Sequence, residues 1–424
     1  MVGLDMQPIT VPPPSGQRVH ARCDLLGHAP YSDDAQGLFR PYLGAGYRAT
    51  LDRIAAWMSD AGMSVRVDAI GNVVGRYEGI APDAPSLLIG SHVDSVRHGG
   101  RYDGMLGVIL GIEVVAAFAR VGRRFPFALE VIGFGDEEGS RFPAAMLTSR
   151  TVAGVREGFD LSMVDGDGIS LAAALAEFGL DLAAIDDARI APGRVLAYVE
   201  AHIEQGPVLE AEGRAVGVVS AIAAQHRYRV TMQGMAGHAG TMAMHLRRDA
   251  LAAAAEAIGT VERIGRAGPA DLVATVGRLE VLPGAANVVP GDVMFTIDVR
   301  AGTNAVRDAA AGEILSEIRD IAARRDIVLG VALQHDLDAT PCDAHLTELM
   351  EQAVVDVTGA PARVLVSGAG HDAMVMAHLV PVSMLFIRCE KGISHNPAEA
   401  VSTADVEVAL RTLTDFVCLF ERRC

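Results

Sequence analysis

Lysine is almost missing from this 424-residue chain: Lys391 stands alone against 35 arginines. The codon bias of a GC-rich genome accounts for this, and the abundance of Ala and Gly agrees with it, so chemistry built on a lysine is set aside. Positive charge is scarce altogether, with 36 Lys and Arg against 53 Asp and Glu and a net charge of −17. A surface of that sign repels polyanions and argues against nucleic acid as a partner. A few cationic groups converging in one pocket can still bind a small anion. Cysteine is sparse as well. Cys23, Cys342, Cys389, Cys418 and Cys424 are scattered without a CxxC pair, the usage of a reduced cytosol, and pairing of Cys418 with Cys424 would be an accident of the C-terminus. No uninterrupted apolar run reaches the roughly 18 to 20 residues of a membrane span, which argues against a membrane partner. Met1 to Gln17 is Pro-rich and polar, with no basic segment leading into an apolar one. It reads as a flexible lead-in rather than a signal peptide, so a cytoplasmic location is expected. Internal repeats and low-complexity tracts are also lacking.

What the chain does have is a hydrophobic half and length enough for two domains, or for one domain with an insertion. It also carries isolated histidines and paired acids in short Gly-flanked segments. Gly90-Ser-His92-Val-Asp94 is followed by Tyr102-Asp103-Gly104 and then by Asp136-Glu137-Glu138-Gly-Ser-Arg-Phe142. Ala201-His202-Ile-Glu-Gln-Gly-Pro207 and Ile393-Ser-His395-Asn-Pro397 come far downstream. Imidazole and carboxylate are the donors that borderline and hard divalent cations prefer. Taken singly, a histidine in a chain this long is usually a satisfied polar residue, and an adjacent Glu pair is usually a solvated face. Joint occurrence changes that reading, because the His92-x-Asp94 spacing and the Gly flanks fit a crowded site.

The placement of these segments points the same way. Ser86–Gly90, Phe127–Phe134 and Val195–Ile203 read as strands, and Met105–Val121 reads as a helix with small residues at Gly107 and Gly111. The His92, Glu137/Glu138 and His202 segments thus lie at strand C-termini, where open α/β sheets place their sites. From Gly217 onward the pattern changes to strand, helix, strand, strand, helix, strand: Tyr228–Met232, Asp249–Ile264, Leu272–Val276, Val293–Val299, Asn304–Arg325 and Ile327–Gln334. That βαββαβ order suits a compact α+β unit. The first style resumes with Leu346–Val357, Val364–Val366, Asp372–Ala377 and Val382–Ile387. The expected fold class is therefore α/β. A split catalytic domain, residues 1–214 and 331–424, has a central mixed sheet flanked by helices, and an α+β domain at 215–330 is inserted between its halves.

The segments HVDSVRHGGRYDG, GDEEGSRF, HIEQGPVLE, GHAGT, SGAGHDA and GISHNPAE together resemble the amidase, hydantoinase/carbamoylase branch of the dinuclear zinc aminoacylase/carboxypeptidase-like hydrolases. That branch holds N-carbamoyl-L-amino acid hydrolases, allantoate amidohydrolases and β-ureidopropionases. The likeness runs from about residue 20 to residue 420, in family order. It implies two divalent metal ions, zinc in the first place, with manganese, cobalt or nickel as alternatives. One ion would be held by His92, Asp103 and His202, the other by Asp103, Glu138 and His395, with Asp103 bridging. Such a pair lowers the pKa of a bridging water. Asp94 can accept the His92 N–H and fix its tautomer. Glu137 points away from Glu138 if the segment is extended and serves as general base and later as proton donor to the leaving nitrogen.

In the inserted domain, His238 of Gly234-Met-Ala-Gly-His-Ala-Gly-Thr241 matches the family histidine that reaches the scissile carbonyl. The family's next residues are usually Thr-Thr-Pro-Met, and Thr241-Met-Ala-Met244 departs from them. Asn287 and Arg300 resemble the residues that clamp the substrate carboxylate, a role suited to arginine. Gln225 lies where the family has a substrate-side Gln, while His226 replaces an expected Arg. Gly368-Ala-Gly-His371-Asp372 can present backbone N–H groups or His371 to substrate, and a helix N-cap by Asp372 explains it almost as well. His98 is a candidate supporting residue, and His20, His28, His245, His335, His345 and His378 read as structural. The resemblance implies a metal-dependent amidohydrolase that cleaves the ureido C–N bond of N-carbamoyl-L-amino acids through a hydroxide between the metals. Allantoate or β-ureidopropionate is the alternative substrate, and dipeptidase, deacylase or non-catalytic relatives rank below. It also implies a small ureido/carboxylate substrate and a homodimer formed through the inserted domain, which doubles as a lid.

Overall fold

The segment Ser86–His92 is apolar at consecutive positions rather than alternate ones, the pattern of a strand covered on both faces. The computed structural model describes residues 14–156 and 160–422 and buries this strand along its whole length. Residues 1–13 of the expected lead-in, and Cys424, lie outside the described residues. Ala128–Phe134 and Val382–Ile387 are buried throughout as well, and Val195–Ile203 at every position except Leu196. These four strands lie parallel, in the order Ala128–Phe134, Ser86–His92, Val195–Ile203, Val382–Ile387. Antiparallel strands extend the sheet on both sides. Val73–Tyr77 and then Ser64–Val67 flank the first of the four, and Val216–Ile222 flanks the last. The sheet is therefore mixed, with a parallel centre whose C-terminal ends share one edge.

Helix Met105–Arg120 packs on three of the parallel strands, and Ala344–Thr358 and Thr403–Glu421 pack on each other and on Val382–Ile387. The first described helix, Gly16–Leu26, is tied to Met105–Arg120 by charge. Glu113, wholly buried, accepts from Arg18 Nε (2.8 Å) and Nη2 (2.6 Å) and from Arg22 Nη1 (2.6 Å). A carboxylate out of water needs such compensation. Among the described residues no helix is long and apolar enough to cross a membrane.

The chain forms two compact units. The first takes the described residues up to Val219, Cys342–Val364 and those from His371 onward; the second takes Ser220–Pro341 with Leu365–Gly370. Expected boundaries of 215 and 330 differ from these. Residue 330 falls inside a ten-residue strand, Val328–Leu337, whose alternating pattern fades at its exposed end. Leu365–Gly370 returns to the second unit because Leu365 and Ser367 carbonyls accept from Ser220 and Ala223. Within the second unit an antiparallel sheet runs Leu279–Leu282, Asp292–Ala301, Ala224–Gln233, Val328–Leu337. The helices Ala250–Ala267 and Asn304–Arg324 bury Ala253, Ala257, Val261, Ile314 and Ile318 against Val230, Met232, Phe295 and Ile297. Apolar burial of this kind contributes about 25 cal/mol per Å², and it gives the unit a core of its own.

Candidate metal centre

Parallel strands bring their C-terminal residues to one edge, and the candidate ligands sit there. His92 ends its strand, His202 is the penultimate residue of the neighbouring strand, and Glu137 and Glu138 follow Phe134 of the strand on the other side. Asp103 precedes helix Met105–Arg120 by one turn residue, Gly104, at φ 64°. A Cβ at Gly104 would lie 2.4 Å from the His92 ring, so only glycine lets the Asp103 turn approach so closely. His395 arrives on a loop of the C-terminal part of the unit, also at positive φ (53°).

One carboxylate joins these pieces. Asp103 Oδ1 lies 3.1 Å from His202 Nε2 and 3.4 Å from His92 Nε2, while its Oδ2 lies 3.4 Å from His395 Nε2. His395 Nε2 is in turn 3.5 Å from Glu138 Oε1. The donor atoms of His92, Asp103 and His202 all lie within 4.8 Å of one another, and so do those of Asp103, Glu138 and His395. His92 Nδ1 meets the Asp94 carbonyl at 3.1 Å, and His202 Nδ1 meets the Ile203 carbonyl at 2.9 Å. A carbonyl accepts only, so both rings carry their proton on Nδ1 and turn Nε2 lone pairs inward. Those two nitrogens face each other across 3.4 Å. Two lone pairs and a buried carboxylate converging on one point make a cation-binding donor set.

Electrostatics agree. Burial opposes the charge of Asp103, yet the imidazoles of His202, His395 and His92, when they also carry a proton on Nε2, hold its carboxyl well below the usual range; a cation would take the place of those protons. Burial, with the charges of Asp103 and Asp94, pushes Glu138 up to about 7. Desolvation, reinforced by Glu138, Asp372 and Asp94, raises Glu137 well above an ordinary glutamate. The Asp103 hydrogen bond lifts His395 to about 9. Acids crowded in this way want a positive charge among them, and divalent cations fit both donor sets.

Three expectations about geometry need correcting. The Asp136–Glu138 segment is a turn rather than an extended strand, because Asp136 adopts a left-handed conformation at φ 58°. Glu137 and Glu138 therefore approach each other, and with His92 they form a third group of donors within 4.8 Å. The Asp94 carboxylate makes this turn: Oδ1 accepts Glu137 N at 3.1 Å and Oδ2 accepts Glu138 N at 3.2 Å. Its Oδ1 stands 3.5 Å from His92 Nδ1, so the nearer acceptor for that proton is Asp94's own carbonyl. Asp94 thus fixes the Glu pair with its side chain and the imidazole with its backbone. Asp372 does not cap the helix Asp372–Met376; His371 holds the cap position, and Asp372 is buried in the first turn. His371 is buried edge-on against His202, with ring centroids 4.5 Å apart, and burial holds it well below its ordinary pKa. His98 is exposed in its turn and belongs to none of the donor groups.

Several supporting residues escaped the sequence reading. Asp103 Oδ2 accepts from Ser394 Oγ (2.7 Å) and Gln205 Nε2 (3.2 Å). Glu399 Oε1 accepts the backbone N–H groups of Tyr102 (2.8 Å) and Asp103 (3.1 Å). Buried Glu200 accepts from Ser91 Oγ and Ala373 N. Their one sequence signal is membership of the segments that carry His202 and His395.

Gln225, His238, Asn287 and Arg300 belong to the second unit. Gln225 and Arg300 are direct cross-strand partners, and both donate to Asp298: Gln225 Nε2 at 2.6 Å, Arg300 Nε at 2.8 Å and Nη2 at 3.2 Å. Arg300 Nη1 also donates to the Gly368 carbonyl at 2.5 Å. His238 pairs with Val288, and the Asn287 carbonyl accepts Ala239 N at 2.9 Å, which sets His238 and Asn287 on one small ribbon. His238 Nδ1 accepts the Gly240 N–H at 3.1 Å, so a neutral ring carries its proton on Nε2. Where proline would have stiffened the next loop, Arg247 does so by donating to the Met242 and Ala239 carbonyls at 3.0 and 2.6 Å. His226 is spent on Asp336 (3.0 Å) and Tyr228.

The model of peptidase family M20/M25/M40 matches residues 88–418. The chain belongs to that family. It is 40% identical to an N-carbamoyl-L-amino acid amidohydrolase of Geobacillus stearothermophilus over 94% of this chain and 97% of the relative. It is 39% identical to an allantoate deiminase of Arabidopsis thaliana, covering 94% and 81% respectively. A hydantoinase/carbamoylase family amidase from Burkholderia ambifaria superposes with a TM-score of 0.87 at 36% identity, over 95% of this chain and 96% of that one. This M20 member is a hydrolase acting on carbon–nitrogen amide bonds.

Proposed function

We propose that the protein is a two-metal amidohydrolase that cleaves the ureido C–N bond of N-carbamoyl-L-amino acids. The observation that carries this reading is the single buried carboxylate, Asp103, set between the His92/His202 and Glu138/His395 donors with Glu137 beside them. His92, Asp103 and His202 would hold one divalent ion, and Asp103, Glu138 and His395 would hold the other, zinc before manganese, cobalt or nickel for this mix of imidazole and carboxylate. When bound, such ions would supply Lewis acidity and lower the pKa of water towards neutrality. Glu137, which stands beside the donors of His92 and Glu138, takes a proton from the attacking water and passes it to the departing nitrogen. Asp94 keeps Glu137 in place through the backbone. His238, with Nε2–H free of its Gly240 contact, donates to the oxyanion that develops on the carbonyl. Arg300 and Asn287 bind the carboxylate; Arg300 is held in its pose by Asp298, and Gln225 lies directly across from it.

Allantoate also carries a carboxylate next to a ureido group, and a relative of nearly equal identity bears its name. Turnover of a panel separates the two. The expected result is a higher kcat/KM for at least one N-carbamoyl-L-amino acid than for allantoate, with ammonia as a product. A preference for allantoate would move the assignment to that substrate, and no ammonia from any ureido compound would refute the reading.

The same reading includes a homodimer through the second unit. Among the described residues Val328–Leu337 pairs on one side only, with Ala224–Gln233, and Val328, Val331 and Leu333 are exposed. An edge strand of this length with apolar side chains is a pairing surface. Replacing Val331 and Leu333 together by Lys is expected to turn a dimer into a monomer in light scattering at micromolar concentration. A wild-type protein that is already monomeric there would contradict it.

A further inference from the structure

We propose that Glu399 is a positioning residue that sets the bridging carboxylate Asp103 and locks it to the loop bearing His395. The inference rests on the two-metal reading above. Glu399 stands four residues beyond His395 on the same loop, and only 2% of its surface is exposed. Its side chain crosses to another segment, where one oxygen, Oε1, accepts the backbone N–H groups of both Tyr102 and Asp103 at 2.8 and 3.1 Å. The other oxygen, Oε2, is buried without a hydrogen-bond partner. No cation faces this carboxylate at ion-pairing distance among the described residues. A carboxylate buried on two amide hydrogens is an expensive arrangement, and a neutral apolar residue would serve simple packing better.

The arrangement makes sense as a hinge pin between two ligands. Asp103 belongs to both donor sets, so a shift of its backbone displaces one oxygen from His92 and His202 and the other from Glu138 and His395. His395 is the most exposed donor, at 49% of its side chain, and lies on a loop with positive φ. By anchoring Tyr102 and Asp103 from that same loop, Glu399 gives the two segments one common fixed point. Further down the loop Glu390 N donates to the Ala400 carbonyl at 2.8 Å, which holds the segment's base. The chain is cut to admit this side chain. A Cβ on Gly100 would fall 2.0 Å from the Glu399 carboxyl carbon and 2.2 Å from each oxygen, so Gly100 leaves the space in which the carboxylate sits.

The function assigned to Glu399 is acceptance of two N–H bonds and not its charge, and this separates the variants. Glu399→Gln keeps an oxygen for Tyr102 and Asp103 and puts its amide nitrogen where Oε2 has no partner. Glu399→Leu keeps the volume and removes the acceptor. Gly100→Ala leaves the glutamate in the sequence and pushes its carboxylate away. Zinc content, measured after equilibration against chelator-buffered free zinc, reports the affinity of both ions without any assay of activity. Wild type is expected to take up two zinc ions. Glu399→Leu and Gly100→Ala are expected to bind the weaker ion about 10- to 100-fold less tightly, the usual cost of losing a residue that orients a ligand. Their kcat at limiting zinc should fall in step, with KM nearly unchanged and excess zinc restoring much of the rate. Glu399→Gln should stay within about threefold of wild type.

A wild type that takes up fewer than two zinc ions would refute the two-metal reading and this proposal with it. Given two ions in wild type, unchanged zinc affinity in both Glu399→Leu and Gly100→Ala would overturn the proposal alone, whatever happens to their melting temperatures. A Glu399→Gln protein as defective as Glu399→Leu would also overturn it, because charge would then be what matters. If Glu399→Leu does not fold, Gly100→Ala and Glu399→Gln decide by the same criteria.

Discussion

Glu137→Gln should leave both metals bound and reduce kcat by about 10²- to 10⁴-fold, the span over which a positioned general base acts. Its side chain offers an oxygen within 4.8 Å of donors on His92 and Glu138, yet neither of the proposed ligand sets needs it. An amide of the same shape preserves packing and the two backbone bonds to Asp94 but cannot take a proton. Metal content and KM should therefore stay close to wild type while turnover collapses. Desolvation raises the Glu137 carboxyl well above the ordinary range when no cation is near. A Glu137→Gln protein that turns over at the wild-type rate would transfer the base role to another residue.

Asp103→Ala should be the most damaging change at the ligands, because it removes the one residue common to both donor sets. Deleting Glu138 or His395 takes donors from one side only. Deleting Asp103 also leaves His92 and His202 facing each other across 3.4 Å with no carboxylate between them and the second set. Loss of both cations forfeits several kcal/mol of charge stabilisation in the transition state, so the rate should drop by on the order of 10³-fold or more. A second readout is thermal. A metal that binds only the folded chain raises its stability by mass action, so added zinc should raise the wild-type Tm and leave that of Asp103→Ala unmoved. Equal zinc stabilisation of the two proteins would place the metals elsewhere.

The sequence made the parallel centre of the first sheet legible, because strands buried on both faces read as unbroken apolar runs and each ended at a candidate ligand. Ser86–His92, Ala128–Phe134 and Val195–Ile203 were found for that reason, within a residue or two of their ends. Edge elements were harder. Ser64–Val67 is largely exposed, so its composition carries no burial signal, and the pairing that makes it a strand comes from Val73–Tyr77. Val328–Leu337 was cut short at its exposed half for the same reason. In the site, residues were recognised by side-chain chemistry, while their supports were not. Asp94 acts through two backbone amides and Glu399 through two more, and nothing in the identity of Tyr102, Asp103, Glu137 or Glu138 advertises that their N–H groups are taken. The turn at Asp136 was missed because a left-handed Asp leaves no mark in an acidic run. Gly104 did carry a signal as a glycine flanking a candidate ligand, whereas the room Gly100 leaves for Glu399 shows only in the fold.

The central claim is that two cations held around Asp103 drive ureido hydrolysis. Its most direct test is ammonia release from N-carbamoyl-L-amino acids and allantoate by chelator-stripped protein, followed as zinc or manganese is added back in measured equivalents. Activity should be absent from the stripped protein and rise to a maximum at two equivalents per chain, in step with bound metal. Full activity without metal, or none at two equivalents on any of these substrates, would contradict it.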